Sequence, residues 1–302
     1  MLWLPPLILA AGILLLLAGI HLGFRPPRHR ERGDPGALGL PYQELRIPTV
    51  AGKTLFAWLL PRPNAAGTIV ILHGWGGNAE MMLPLALPFY RAGLNVILPD
   101  ARCHGRSDGD SFSSLPRFAE DLGRVVNWLG SRNGPGAGTE RVILLGHSVG
   151  AGACLLEASR RRDIAAVISI AAFAHPEWMM RRYLGRWHLP TPLVSLILRY
   201  VQWVIGHRFE EIAPIRTICA IPCPVLMVHG REDRTVPVTD MRAIQARCER
   251  PHISFLEIAG ADHDSVEKIE SHAGQLLAFL RRQSILPTAK DGSGGKTPPP
   301  DH

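Results

Sequence analysis

The sequence predicts an α/β protein with a mostly parallel sheet and helices on both of its faces. Short apolar runs such as Thr68–Leu72, Leu94–Leu98 and Arg141–Leu145 alternate with longer stretches at helical spacing. Runs that are apolar at nearly every position are typical of parallel strands covered on both faces. Two earlier runs, Leu45–Val50 and Leu55–Leu60, lie close together and predict antiparallel strands at the start of the sheet.

The first 24 residues contain no charged side chain, and Leu2 to Ile20 is almost wholly apolar. About twenty such residues can span the hydrocarbon core of a bilayer as a helix. A cleaved signal peptide is the alternative, but it needs a basic N-terminal region, and no Lys or Arg precedes this run. Four arginines follow between Arg25 and Arg32, and the positive-inside rule keeps such a flank in the cytoplasm. We therefore predict a single membrane anchor at 1–24 that leaves the rest of the chain cytoplasmic.

The remaining chain divides by composition. Residues 25–40 are rich in Pro, Gly and Arg and predict a linker, and residues 41–283 have a normal length for one α/β domain. Residues 284–302 are polar and turn-rich, which predicts a disordered tail. Within the domain, further helices and strands are predicted at 115–131, 149–161 and Ala165–Ala171.

One insertion, about 173–216, interrupts the alternation of strands and helices. Its stretch Leu193–Ile205 is apolar on nearly every side, which is unusual for a segment that faces solvent. One interpretation is a cap that roofs an acyl pocket and approaches a bilayer. The other is a second core layer that covers the edge of the sheet.

The motif Gly146-His147-Ser148-Val149-Gly150 joins a predicted strand to a predicted helix. Such a Gly-x-Ser-x-Gly turn is sharp and strained, and a Cβ at either glycine would clash with neighbouring backbone. The turn presents the serine hydroxyl to a base and leaves the next N–H free to hold an oxyanion. Taken alone the pattern also fits an ordinary small-residue turn. Ser148 is a candidate nucleophile because three further segments fall in the order that this chemistry needs.

The first of these segments is the glycine-rich loop His73-Gly74-Trp75-Gly76-Gly77, which follows the Thr68–Leu72 strand. Such a loop lets unpaired backbone N–H groups face a substrate carbonyl. The predicted oxyanion donors are the N–H groups of Trp75 and Val149. An ordinary tight turn is the alternative.

The second segment places a carboxylate after the buried run Val225–Val228. A carboxylate at a strand end can fix the tautomer of an imidazole and stabilise the imidazolium. Three acidic side chains are available for this role, namely Glu232, Asp233 and Asp240.

The third segment places His263 after another strand-like run, just before a helix. Among the thirteen histidines it is the candidate base. His147 adjoins the serine, but neighbouring side chains on a turn diverge, and His272 lies too far into the last helix. Asp262 and Asp264 flank His263 and are predicted to point away, as helix-cap or surface groups.

The order serine, aspartate, histidine, each after a β-run, resembles the α/β-hydrolase fold family. The similarity covers roughly residues 40–283, and its motifs are His73-Gly74-x-Gly-Gly, Asp100-x-Arg102-x-His104-Gly105-x-Ser107, the Ser148 turn, His229-Gly230-x-x-Asp233-x-x-Val236-Pro237 and His263. Within the family the chain is most similar to the Bem46-like and monoacylglycerol-lipase-like serine hydrolases.

The resemblance implies a Ser148–His263–Asp233 triad, because the spacing to Val236-Pro237 matches Asp233. It also implies structural roles for His73 and His104. One departure is Cys103, where the family usually has glycine. We expect the backbone to be less strained there than with glycine.

The net charge is +7 and the pI is about 9.5. Much of the excess lies in arginine clusters, without aromatic residues interleaved in a basic stripe, so we predict no nucleic-acid partner. Attraction to anionic lipid head groups is the simpler explanation. The five cysteines show no paired spacing, which predicts free thiols in a reducing compartment.

Together these observations predict a membrane-anchored serine hydrolase that cleaves esters of a hydrophobic or lipid-like acyl group. No metal or organic cofactor is needed for this chemistry. A peptidase or thioesterase on the same triad is one alternative. A catalytically silent scaffold that binds a lipid or a partner through the cap is another, and the complete triad argues against it.

Overall fold

The computed structural model describes residues 4–131 and 141–287. Within them, eight strands form one sheet in the order β1-β2-β4-β3-β5-β6-β7-β8. Strand β1 pairs antiparallel with β2, and β2 with β4, whereas the other neighbours are parallel. The predicted fold class, including the antiparallel start, is confirmed. The strands are β1 Gln43–Pro48, β2 Thr54–Leu60, β3 Thr68–Leu72, β4 Asn95–Pro99, β5 Val142–His147, β6 Ile164–Ile170, β7 Val225–Gly230 and β8 Ile253–Ile258.

Helices cover both faces of the sheet, and the sheet separates two apolar cores. Val70 and Leu72 of β3 enter one core, while Ile69 and Ile71 enter the other. Burial on both faces explains why the central strands are apolar at nearly every position. The helices are α1 Leu4–Gly23, α2 Leu83–Arg91, α3 Leu115–Leu129, α4 Val149–Ala158, α5 Pro176–Gly185, α6 Thr191–Ile205, α7 Phe209–Ile212, α8 Pro214–Thr217, α9 Val238–Arg247, α10 Val266–Ser271 and α11 Ala273–Arg282.

Parallel strands bring their carboxyl ends to one edge of the sheet, and functional loops gather there. Ser148 follows β5 directly, Asp233 lies three residues beyond β7, and His263 lies five residues beyond β8. The glycine-rich loop that begins at His73 follows β3, which pairs with β5. Four loops that are distant in sequence therefore meet around Ser148.

Helix α1 occupies most of the segment 1–24, where the sequence predicts a transmembrane anchor. No helix among the described residues has both the length and the apolar character required to cross a membrane. The structure therefore does not support that anchor. The end of the helix packs on the protein, because Ile20 and Phe24 lie against the larger core and the Tyr200 hydroxyl lies 3.3 Å from His21 Nδ1.

The segment 25–40, predicted as a linker, runs along the domain and forms a short 3-10 turn at Pro35–Leu38. At the other end of the chain, Ile285 and Leu286 are buried in the second core. These two residues belong to the segment 284–302 that the sequence predicts as a tail, and positions from 288 onward lie outside the described residues.

The insertion at 173–216 forms helices α5 to α8. One face of α6 is buried in the core that contains Val70 and Leu72 of β3. The buried residues of this face include Val194, Ile197 and Val201. Its opposite face exposes Leu196 and Trp203, and the Trp203 side chain is 77% exposed. The helix therefore covers core on one side and presents a large apolar surface on the other.

The prediction of five free thiols is wrong for two of them. Cys219 and Cys248 form a disulfide, with their Cα atoms 5.7 Å apart. Folding brings the segment before β7 next to the end of α9, and sequence spacing alone does not reveal that approach. Cys103, Cys154 and Cys223 are free and buried.

Candidate active site

Ser148 lies on the strained turn that its motif predicts. Its φ of 54° and ψ of −117° lie outside the usual regions for a residue with a side chain. A Cβ at Gly146 would lie 2.3 Å from the carbonyl oxygen of Gly150, and one at Gly150 would lie 2.4 Å from that of His73. Only glycine fits at both positions, so the turn passes tightly between β5 and α4.

The structure brings the three predicted triad residues together. Ser148 Oγ lies 3.0 Å from His263 Nε2, so the hydroxyl donates to the imidazole. His263 Nδ1 lies 2.7 Å from Asp233 Oδ2 and donates to it. This geometry fits a nucleophile, a general base and an orienting carboxylate.

Asp233 is held on both of its oxygens. Its Oδ1 accepts hydrogen bonds from the N–H groups of Thr235 and Val236, at 2.9 and 2.8 Å. Burial opposes ionisation of the carboxyl, but hydrogen bonds from His229 and His263 outweigh it. The pKa of Asp233 is therefore lowered, and the carboxylate stays charged.

The competing acids have other surroundings. Glu232 is exposed. Asp240 is buried, where its Oδ2 accepts from the N–H of Ala174 at 2.9 Å and pairs with Arg182 at 2.8 Å. It therefore ties α5 of the insertion to α9. Asp262 is exposed and accepts from Ser265, as predicted for a flanking surface group.

Two histidines support the triad without being part of it. His147 Nε2 donates to the carbonyl oxygen of His263 at 2.8 Å, and the two rings lie 5.1 Å apart. His229 Nε2 donates to the Val236 carbonyl at 2.7 Å and lies 3.5 Å from Asp233 Oδ2. Neither role was predicted from the sequence, although both residues lie within the motifs of the family resemblance.

The glycine-rich loop packs directly on the nucleophile turn. A Cβ at Gly74 would lie 3.1 Å from Ser148 Cβ, so only glycine allows this approach without a shift. Trp75 follows in the loop, and Val149 is the first residue of α4, where helical N–H groups have no partner within the helix. Both residues thus adjoin Ser148, and their role as oxyanion donors stays a prediction.

His73 and His104 lie beneath this loop as neutral side chains. His73 Nδ1 donates to the Gly74 carbonyl at 2.7 Å, and its Nε2 accepts from the N–H of Ala101 at 3.1 Å. Burial lowers the pKa of His73 to about 3 and that of His104 to about 4. The structural roles implied by the family resemblance fit this environment.

Asp100 links the glycine-rich loop to the loop that follows β4. Its carboxyl group accepts from the N–H of Ala79 at 2.8 Å and from that of Arg106 at 2.7 Å. A Cβ at Gly105 would lie 2.0 Å from Asp100 Oδ2, so the loop closes tightly over the carboxyl. Cys103 has a φ of 70°, so the expectation of a less strained backbone there is wrong. The loop keeps the left-handed conformation that glycine prefers.

A cavity of about 530 Å³ lies away from Ser148, between α3, α4 and the end of α6. Its lining is mostly polar and charged, including Arg117, Glu120, Arg124 and Arg160. None of the triad residues contributes to it. A polar cavity that no triad residue lines does not suit an acyl substrate, and we do not assign it to the reaction.

Residues 63–220, more than half of the chain, match the family described as serine aminopeptidase, S33. The chain belongs to this family. It is a hydrolase with the α/β-hydrolase fold, in agreement with the predicted resemblance.

The chain is also similar to curated proteins and to a solved structure. The human alpha/beta hydrolase domain-containing protein 17B is 25% identical over 225 residues, 74% of this chain and 69% of that protein. The yeast membrane protein YNL320W is 22% identical over 253 residues, 83% of this chain and 84% of that protein. The Pyrococcus furiosus esterase Pf2001 superposes with a TM-score of 0.69 at 23% identity and covers 85% of this chain and 97% of its own. At this identity the likeness to Pf2001 extends to the fold alone.

Proposed function

We propose that the protein is a serine hydrolase that cleaves carboxylic esters through Ser148, His263 and Asp233. The observation that carries this proposal is the continuous hydrogen-bonded chain from Ser148 Oγ to His263 at 3.0 Å and on to Asp233 at 2.7 Å. A strained serine with a base in reach and an orienting carboxylate behind it suits acyl transfer.

In this mechanism Ser148 Oγ attacks the acyl carbon while His263 Nε2 takes its proton. Asp233 keeps the imidazole in the Nδ1–H tautomer and stabilises the imidazolium. The N–H groups of Trp75 and Val149 hold the developing oxyanion. The same histidine then gives the proton to the leaving alcohol, and activates the water that releases the acid.

The proposed substrate carries a hydrophobic acyl group. The insertion at 173–216 supports this, because α6 combines a buried apolar face with exposed Leu196 and Trp203. The kcat/KM of the wild-type protein on p-nitrophenyl esters from acetate to palmitate tests it. Each methylene buried in an apolar pocket contributes about 0.8 kcal/mol, so the rate should rise with chain length. A flat profile would contradict the hydrophobic acyl group.

A fluorophosphonate probe tests the nucleophile separately from the substrate. Wild-type protein should be labelled at Ser148, and Ser148→Ala should not be labelled. Absence of labelling in the folded wild-type protein would favour the silent scaffold. The family description also makes peptide-bond hydrolysis on the same triad a second candidate, and aminoacyl p-nitroanilides measured beside the esters distinguish the two.

Membrane attachment stays a prediction. The charge-free first 24 residues and the arginines that follow them support it. Alkaline carbonate extraction of membranes from expressing cells tests attachment, and a C-terminal reporter tests the cytoplasmic orientation. Release into the supernatant by carbonate would rule out an anchor, and an extracytoplasmic reporter signal would overturn the orientation.

A further inference from the structure

Residues 24–33, called the strap below, contact two loops of the domain. One is the segment 73–80, which contains the glycine-rich loop that packs on Ser148, and the other is the loop 101–113 after β4. From these contacts we infer that the strap is a positioning element that holds the Trp75 N–H in place for the oxyanion. This inference rests on the proposed esterase function.

The strap is bound to the 101–113 loop at several points. The N–H of Ser113 donates to the Phe24 carbonyl at 2.9 Å. Arg28 Nε donates to the Gly105 carbonyl at 3.0 Å, and its guanidinium also donates to the carbonyl of Ser107. One side chain thus spans both carbonyls of the turn that closes over Asp100.

The strap also contacts the segment 73–80, at three positions that follow Trp75. Pro27 packs on Gly76, where a Cβ would lie 2.9 Å from the proline ring. The buried Asn78 donates through Nδ2 to the His29 carbonyl at 3.1 Å. Glu80 accepts from the N–H groups of Arg32 and Gly33, at 2.7 and 3.0 Å. These contacts flank Trp75 on its C-terminal side.

A carboxyl group of the strap reaches the buried link between the two loops. Both Glu31 carboxyl oxygens are buried, and their acidic neighbour is Asp100. Burial first, and then the Glu31 charge, raise the pKa of Asp100 well above its ordinary value. The Glu31 carboxyl therefore lies beside that of Asp100. The strap thus contacts the residue that binds the N–H groups of both Ala79 and Arg106.

The consequence is specific to the transition state. A substrate carbonyl in the ground state gains little from an oxyanion donor. The charged oxygen of the tetrahedral intermediate gains much more, and that gain depends on the direction of the donor N–H. Loosening the strap should therefore lower kcat and leave KM nearly unchanged. A displacement of about 1 Å costs on the order of a hundredfold in rate, so we expect a loss of about tenfold to a hundredfold.

The test compares Arg28→Ala with Arg28→Lys and with the matched control Arg30→Ala in the full chain. Arg30 is an exposed residue of the same segment, so its removal gives the same change of charge. For Arg28→Ala we expect lower kcat at constant KM and an equal loss of affinity for a trifluoromethyl ketone. Arg28→Lys should recover part of both, because an ammonium can still donate to one carbonyl. Arg30→Ala should behave as wild type.

Hydrogen exchange of residues 74–80 gives a second readout that needs no substrate. Arg28→Ala should speed exchange there relative to Arg30→Ala, at equal melting temperatures. Equal exchange and equal kcat in these two variants would overturn the inference, as would a loss confined to KM. If Arg28→Ala fails to fold, Arg28→Lys against Arg30→Lys decides by the same readouts. A wild-type protein without esterase activity would refute the proposed function. Hydrogen exchange of residues 74–80 would still test whether the strap holds the loop.

Discussion

The two sides of Ser148 are held by different means. On the triad side, Asp233 and His263 meet through side chains, and Asp233 is held by the N–H groups of residues two and three positions away. On the oxyanion side, the supporting contacts join residues far apart in the chain. Arg28 is 77 positions from Gly105, and His29 is 49 positions from Asn78. The Asp233 carboxylate is thus fixed by its own loop, whereas the loop that carries the predicted Trp75 donor contacts a remote segment.

This difference follows from the chemistry of each side. A nucleophile, a base and an acid require particular side chains, and strand ends place them. An oxyanion donor is a backbone N–H, which any residue except proline supplies. What matters on that side is the position of the loop, and position is set by whatever packs against it.

The largest expected loss of rate comes from removing the nucleophile or the base, because only the oxyanion side then remains. Ser148→Ala and His263→Ala should each lower kcat/KM on a p-nitrophenyl ester by on the order of 10⁴-fold or more. The double variant should be scarcely worse than either, since the two residues act as a unit. The remaining rate above the uncatalysed reaction measures the oxyanion side. Losses that multiplied in the double variant would contradict the triad.

Asp233→Asn should have the next largest effect, about 10²-fold to 10⁴-fold on kcat. The asparagine keeps an acceptor for Thr235 and Val236 but can present an amide N–H to His263, which favours the wrong tautomer. Melting curves should show that the variant folds. Asp262→Asn is the matched control, because this exposed aspartate adjoins His263 and should change the rate less than about twofold. Equal rates in the two variants would remove Asp233 from the mechanism.

Acid should destabilise the protein through its buried neutral histidines. Burial lowers the pKa of His73 to about 3, and burial lowers that of His104 and of His147 to about 4. In the unfolded chain each of these imidazoles binds a proton below about pH 6.5. In the folded chain they stay neutral until the pH approaches their lowered pKa. Stability is therefore full above pH 6.5 and falls as the pH drops towards 4, by up to about 1.4 kcal/mol per pH unit for each histidine.

Urea unfolding at pH 7.5, 6 and 5 measures this loss. His104→Gln should give a shallower dependence on pH than the wild type, because one of the three groups no longer titrates. An unfolding free energy that stays constant from pH 7.5 to 5 would show that these histidines are not held neutral.

The smallest expected effect on rate comes from removing the disulfide, which belongs neither to the triad side nor to the oxyanion side of Ser148. The Cys219–Cys248 bridge closes a separation of 29 residues, and the chain-entropy estimate for such a loop is about 3.5 kcal/mol. Replacing both cysteines by serine should lower the unfolding free energy by about that amount and leave kcat unchanged. Dithiothreitol should reproduce the loss in the wild type only. A change in kcat, or insensitivity to dithiothreitol, would contradict this assignment.

The sequence was informative where function needs a particular residue at a strand end. The apolar runs predict the sheet, and the Gly146–Gly150 turn predicts a strained nucleophile, which its φ of 54° matches. Asp233 and His263 each follow a predicted strand, and the family resemblance selects Asp233 among the three candidate acids. The structure brings these three residues together in the order and geometry that such loops predict.

The remaining features depend on contacts that leave no local pattern. The strap was predicted as a linker, because a segment rich in Pro, Gly and Arg has no periodicity to indicate where it packs. The contact between Glu31 and Asp100 joins two carboxyl groups, a pairing that charge patterns argue against. The disulfide joins two cysteines that only the packing of β7 and α9 brings together.

The order of the strands has a consequence for how the enzyme is made. Strands β5 to β8 are added to the sheet in chain order, and Ser148 precedes His263 by 115 residues. In the proposed mechanism, a nascent chain on the ribosome completes its nucleophile and oxyanion loop long before it acquires its base. We therefore expect no hydrolysis until β8 has emerged and paired with β7. By the same reasoning, a fragment that carries Ser148 and a fragment that carries His263 should each be inactive alone.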